Sequence, residues 1–296
     1  MNDKFVLSLF SGIDLLGIAF KKSGFCVVSA GDILFGSDIR EWHTFAGIFG
    51  GVILGSPCQA WSAARRGQVT ATEREEAKQL IAHGARVIHE ARPTWWLWEN
   101  VPSVPNIVLE GYTHQRFDIT HAECGGVMLR RRHFQFGMKK VYNSDGKEFD
   151  WWNTFGSKLL IKRQLVSTEQ IVKAPVGRRS LKTPWPELLR LFDLPQDFKL
   201  PAFTRAGKYL AIRNGVPLKI GIVIAAAISD LLAGKQPAVK LCRCGCARSI
   251  TAQKQFLATP ACRKRMQRRR EGKQQETLYF PEPKTTMGAG DPTCAQ

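Results

Sequence analysis

The run Gly51-Val52-Ile53-Leu54, closed by Gly55-Ser56-Pro57-Cys58, is the feature that most limits the fold. It reads as a buried strand, and Pro57 ends it, because proline cannot donate to a ladder and fixes its own φ. Phe5-Val6-Leu7-Ser8-Leu9, Cys26-Val27-Val28-Ser29-Ala30 and Trp95-Trp96-Leu97-Trp98 are runs of the same kind. Strands apolar on both faces belong to sheets covered by helices on both sides. Helical spacing supplies those helices. Apolar residues recur from Ile13 to Phe20 before Gly24, and Ala77, Leu80, Ile81 and Val87-Ile88 share one face of a helix expected over Glu73 to Ala91, with Thr72 as its cap. The expected fold class is α/β, a doubly wound sheet with helices on both faces.

In such a sheet, ligands and chemistry collect at the C-terminal edge of the strands. Four groups fall there. Phe10-Ser11-Gly12 follows the first strand, Asp32 the second, Cys58 the third and Glu99 the run ending in Trp98. Each has an ordinary reading as well. The glycine turn can be a plain strand-to-helix turn, and Cys58 can be a small buried hydrophobe. Asp38, beside Ile39, can take an adenine amino group or cap a helix. Arg130-Arg131-Arg132 can be a solvated face or a set of phosphate contacts.

Charge narrows the partner. Lys and Arg number 43 against 25 Asp and Glu, a formal charge of +18, which suits a polyanion such as nucleic acid. An anionic membrane competes, but no basic amphipathic helix or lipidation signal supports it, and the longest apolar run, Ile220 to Ile228, is too short to span a bilayer. Met1-Asn2-Asp3-Lys4 lacks the layout of a signal peptide, so a cytoplasmic, monomeric protein with reduced thiols is expected. The tail differs in composition: Cys242, Cys244, Cys246 and Cys262 can form a four-thiolate zinc site followed by a basic helix, or lie on a loose basic arm.

Taken in order, the motifs resemble those of the DNA (cytosine-5)-methyltransferases. Phe10-Ser11-Gly12 is similar to that family's S-adenosylmethionine motif, Asp38-Ile39 to its adenine-side motif, and Pro57-Cys58-Gln59 to its nucleophile motif. Glu99-Asn100-Val101, the run from Arg130 to His133, and Asn214-Gly215-Val216-Pro217 are similar to the remaining three. The resemblance covers residues 5–235. It implies a Rossmann-like methyltransferase sheet, S-adenosylmethionine as cofactor and double-stranded DNA as partner. By the same resemblance Cys58 adds to carbon 6 of a flipped cytosine, and Glu99 accepts the displaced charge at N3. Arg131 is then the favoured ring-contacting arginine, ahead of Arg130 and Arg132. The cofactor set implied is Phe10, Gly12, Asp32, Asp38, Ile39, Asn214 and Val216. The Cys/Arg-rich tail is similar to those of some phage and prophage methyltransferases. Methylation of RNA, and a DNA-binding relative without catalysis, are the competing functions.

Several positions depart from the family pattern. Asp14 stands where a second glycine is usual, Leu129 where glutamine is common, His133 where arginine is common, and Arg213 where glycine usually precedes Asn214. A depressed thiol pKa at Cys58 needs a cation, which Arg65, Arg66 or the arginines near 131 can supply. The expected domain division is 1–137 for the first part of the catalytic domain, 138–184 for a small target-recognition module and 185–235 for the return of the catalytic domain. The Cys/Arg-rich tail takes 240–273, and 274–296 is expected to be disordered.

Overall fold

The computed structural model describes residues 2–62, 67–140, 151–152, 155–156, 159, 171–172, 181–235, 240–242, 249–250, 259–270 and 276–282. Its centre is a six-stranded sheet in the order β2-β1-β3-β4-β7-β6. Strands β1 (Phe5–Leu9), β2 (Cys26–Ala30), β3 (Gly51–Leu54) and β4 (Trp95–Asn100) run parallel. Strand β7 (Arg131–Lys139) lies antiparallel to β4, and β6 (Tyr112–Thr120) antiparallel to β7. The α/β sheet expected from the sequence is therefore present, extended on one side by an antiparallel hairpin.

Alternation of side chains divides the core between the two faces. Trp95, Leu97, Phe134 and Phe136 point to the face covered by α1 (Leu15–Lys22) and α5 (Leu218–Leu232), together with Phe20, Ile220 and Ile224. Trp96, Trp98, Val52 and Leu54 point to the face covered by α2 (Ala71–Ala91). Helix α2 begins before Glu73, because Thr70 rather than Thr72 is its cap. The Thr70 hydroxyl accepts from the Glu73 backbone, and the Glu73 carboxylate accepts in return from Thr70 N at 2.9 Å. Two further helices, α3 (Trp185–Leu191) and α4 (Arg205–Asn214), pack with Leu15 and Met128 in a third cluster. The stretch Arg205–Leu232 has the length and apolar content of a membrane span, but most of its apolar window is buried in this core.

Trp151, Phe155 and Leu159, inside the stretch 138–184 assigned to the recognition module, are buried against Phe117, Phe134 and Phe136. Thr277–Phe280, inside the stretch expected to be disordered, is strand β10 and pairs in parallel with β5 (Asn106–Leu109). Four residues that bury alternate side chains and complete a ladder outweigh the polar composition around them. Of the tail, only β8 (Lys240–Leu241), β9 (Ser249–Ile250) and α6 (Pro260–Arg270) join β10 among the described elements.

Packing between β4 and β7 leaves no room at Gly137. A methyl group there would overlap the indole of Trp96, which is fully buried and cannot give way. Gly137→Ala is expected to lower stability by about 1–3 kcal/mol, read as a shift of the urea midpoint at constant m-value.

Candidate active site

The ends of β3 and β4 carry the reactive groups, and a buried polar knot fixes them to each other. The Asn100 amide donates to the backbone oxygen and the hydroxyl of Ser56, both at 3.0 Å, and the Trp98 indole donates to the same hydroxyl at 3.0 Å. Asn100 Oδ1 accepts from Val101 N at 2.8 Å, which turns the chain out of β4. Cys58 follows Ser56 by two residues, and Glu99 precedes Asn100 by one. Both therefore border a single cavity of about 850 Å³.

Glu99 is buried and ion-paired: Arg132 Nε stands 2.8 Å from its Oε1. Burial pushes the Glu99 carboxyl above the ordinary glutamate range, and Arg132 pulls it partly back. The Cys58 thiol is also raised, first by burial and then by the Glu99 charge, with Arg132 opposing. The three groups form one electrostatic unit in which Arg132 is the shared cation.

Of the three adjacent arginines, the structure sets Arg132 beside Glu99. Arg131, the favoured candidate in the sequence, begins β7 with an exposed side chain and does not line the cavity. Arg132 takes the place beside Glu99, because it shares a sheet face with Phe134, the cross-strand partner of Glu99. Arg130 is buried and structural. It donates to the Gly215 carbonyl at 2.9 Å and lies over the Phe192 ring, tying the start of β7 to the end of α4. Arg65 and Arg66, the other cations considered for Cys58, lie outside the described residues.

All seven positions expected to hold the cofactor line the same cavity: Phe10, Gly12, Asp32, Asp38, Ile39, Asn214 and Val216. Gly12 has φ +54, and a Cβ there would meet open space; Phe10 is left-handed too, at φ 50, an uncommon state for an aromatic residue. Asp32 accepts from Gly12 N at 2.8 Å and from Leu34 N at 2.9 Å, so the end of β2 braces the turn after β1. Asp38 accepts from Arg40 N and grips the Arg40 side chain, which holds its carboxyl down to about 2. It makes a short turn there and caps no helix.

Asp14 explains its own departure from the family pattern. It turns inward with φ 53, caps α1 through Gly17 N and accepts from Ser8 and Ser29, both at 2.8 Å. Burial raises its carboxyl, and these bonds restrain the rise. Asp14 thus serves the turn rather than reaching into open space. Ser11 does the opposite: its hydroxyl is buried, borders the cavity and lacks a hydrogen-bond partner among the described residues. An unsatisfied hydroxyl beside an open glycine turn and two carboxylates fits a polar, nucleoside-bearing ligand such as S-adenosylmethionine.

The zinc expectation finds no comparable support. Cys242 and Cys262 are buried, while Cys244 and Cys246 lie outside the described residues. Among the described residues no three His, Cys, Asp or Glu side chains gather as metal ligands.

Residues 34–154 match the model of the C-5 cytosine-specific DNA methylase family. No curated protein sequence matches the chain at significance. Among solved structures, it is similar to a protein encoded within an Escherichia coli prophage and assigned as a DNA modification methyltransferase. Identity is 14%, covering 77% of this chain and 99% of that one, with a TM-score of 0.51. It is also similar to a mutant DNMT2 of Spodoptera frugiperda (14% identity, 77% and 99% covered, TM-score 0.44). The Dnmt2 of S. pombe gives 14% identity, 77% and 98% covered, and a TM-score of 0.45. At these identities the likeness to the prophage protein is one of fold.

The coupling of Cys58, Glu99 and Arg132 has a measurable sign. A raised thiol pKa means that Cys58 is protonated at neutral pH, and its alkylation should climb past the pH at which ordinary thiols level off. Glu99→Gln removes the charge that raises it and should speed alkylation at pH 7. Arg132→Gln removes the opposing cation and should slow it. Mass-spectrometric tracking of the Cys58 peptide under iodoacetamide separates this thiol from the other seven.

Proposed function

We propose that this chain, whose residues 34–154 match the model of the C-5 cytosine-specific DNA methylase family, transfers a methyl group from S-adenosylmethionine to carbon 5 of cytosine in duplex DNA. The observation that carries this reading is the shared cavity of Cys58, Glu99 and Arg132, continuous with the glycine turn.

Phe10, Gly12 and Ile39 would enclose the cofactor, Asp32 and Asp38 would take its hydroxyl and amino groups, and Asn214 and Val216 would close over it. When bound, S-adenosylmethionine supplies an electrophilic methyl group. The residues supply the rest. Carbon 5 of cytosine is a poor nucleophile until something adds at carbon 6, and the Cys58 thiolate forms that bond. The ring electrons move toward N3, where Glu99 donates a proton or a hydrogen bond. Burial shifts the Glu99 carboxyl toward holding a proton, and Arg132, which pulls it partly back, holds the carboxyl in place and steadies its charge once the proton has left. After methylation, loss of the carbon 5 proton expels the Cys58 sulfur and restores the thiolate. The base must leave the helix to reach this cavity, and phosphate contacts from a chain of +18 offset the unstacking.

Two variants test the roles. Cys58→Ser should abolish methyl transfer to a cytosine duplex and retain duplex binding. Glu99→Gln should lower the rate by about 10²–10⁴-fold, the usual share of a positioned acid. A duplex carrying 5-fluorocytosine should trap a covalent adduct through Cys58, because fluorine cannot leave as a proton. Bisulfite sequencing of DNA from cells expressing the chain reads activity and target sequence together. Transfer to tRNA with none to duplex DNA would replace DNA by RNA as substrate.

A further inference from the structure

We infer that β10 is a latch that holds helix α6 against the backbone of a DNA duplex, beside the cavity that takes the target base. The inference rests on the reading above, in which a duplex is the substrate. Helix α6 carries Arg263, Lys264, Arg265, Arg268, Arg269 and Arg270 among its eleven residues, and no acid. Arg263 and Lys264 are exposed. A helix this basic has little apolar surface to pack, Cys262 being its only buried side chain among those described, so its position depends largely on what tethers it.

The tether is β10. Its residues pair with β5 from Thr277 opposite Asn106 to Phe280 opposite Leu109. Leu278 and Phe280 pack on the core beneath α2. The Phe280 carbonyl accepts from Glu110 N at 3.0 Å and stands 3.2 Å from His89 Nε2, while the Glu276 carbonyl accepts from Asn106 N at 2.7 Å. The Glu276 carboxylate pairs with Lys78, and Glu282 N donates to Glu110 at 2.9 Å. The latch is therefore held at both ends and along its length.

Direction gives the latch its meaning. Strand β5 begins at Asn106, six residues past Asn100, where Arg116 binds both the Asn106 side chain and the Val104 carbonyl. Because β10 runs parallel to β5, its first residue, the end nearer α6, faces the sheet edge that bears Glu99. Seven chain steps separate Arg270 from Thr277 and can span at most about 25 Å, so the end of α6 stays within that distance of Thr277. A helix with six basic residues tethered to that edge matches a phosphate backbone flanking a flipped base.

Duplex binding by the full-length protein, measured by fluorescence anisotropy from about 50 to 300 mM salt, tests this, since the log–log slope is about −0.9 per phosphate neutralised. Replacing all six α6 cations by Gln should make the slope shallower by about 3 to 5 and weaken binding at least tenfold at physiological salt. Leu278→Asp with Phe280→Asp, which unseats the latch and leaves the cations, should move slope and affinity in the same direction, with S-adenosylmethionine binding and circular dichroism unchanged. An unchanged slope in the six-fold Gln variant, with circular dichroism also unchanged, overturns the proposal. A changed slope there with no effect of unseating β10 overturns the latch. A larger loss on an RNA duplex, or on phosphatidylserine vesicles, than on DNA reassigns the helix to that partner. Absence of methyl transfer with these slope differences intact defeats the reaction proposed above and leaves the latch standing. Normal methyl transfer with identical slopes does the reverse.

Discussion

Ser56 joins the two strand ends on which the site is built. Its hydroxyl and carbonyl both receive the Asn100 amide, and the Trp98 indole shares the hydroxyl. All three residues are buried, so each of these bonds is stronger than in water, and each broken one leaves a polar group without solvent. The knot sets the distance between a loop that ends in a sulfur and a strand that ends in a carboxyl. Without it Cys58 would belong to a proline turn and Glu99 to a sheet, with nothing to hold them to a common cavity.

Around that knot, three neighbouring arginines divide their work by strand geometry. Arg130, just before β7, is buried and ties the hairpin to the turn after α4. Arg131 points outward, and Arg132 points to the face of Glu99. One cation thereby acts on both acids: it lowers a carboxyl that burial has raised, and it lowers a thiol raised by burial and by that same carboxyl.

Much of this was legible in the sequence because the parallel strands are short, apolar and closed by glycine, proline or a charged residue. Cys58, Glu99, the Phe10–Gly12 turn and Asp32 follow from lying just past such runs, whereas Asp38, Ile39, Asn214 and Val216 follow from the resemblance of their motifs to the family's. Arg132 was not legible in that way. Three identical residues in a row carry no phase, and only the register of β7 on β4 decides which of them turns inward. Ser56 and Asn100 were visible as motif members, but their mutual bonding depends on the spacing of two strands some forty residues apart. Strand β10 was hidden for another reason: Thr277-Leu278-Tyr279-Phe280 is a strand-like run whose neighbours read as linker, and its partner is remote in the chain. Asp14, a departure from the family's glycine in the sequence, is the N-cap of α1.

The pairing of β10 with β5 also dictates an order of assembly. Its hydrogen bonds close over 172 residues of chain, whereas β1, β2 and β3 find their partners over a few dozen. Closing so large a loop is slow, and the sheet with its two helical layers can form before the closing strand is available. During synthesis, then, the cavity bordered by Cys58 and Glu99 can form before Thr277–Phe280 is available, and the last strand to emerge closes onto a sheet that already stands.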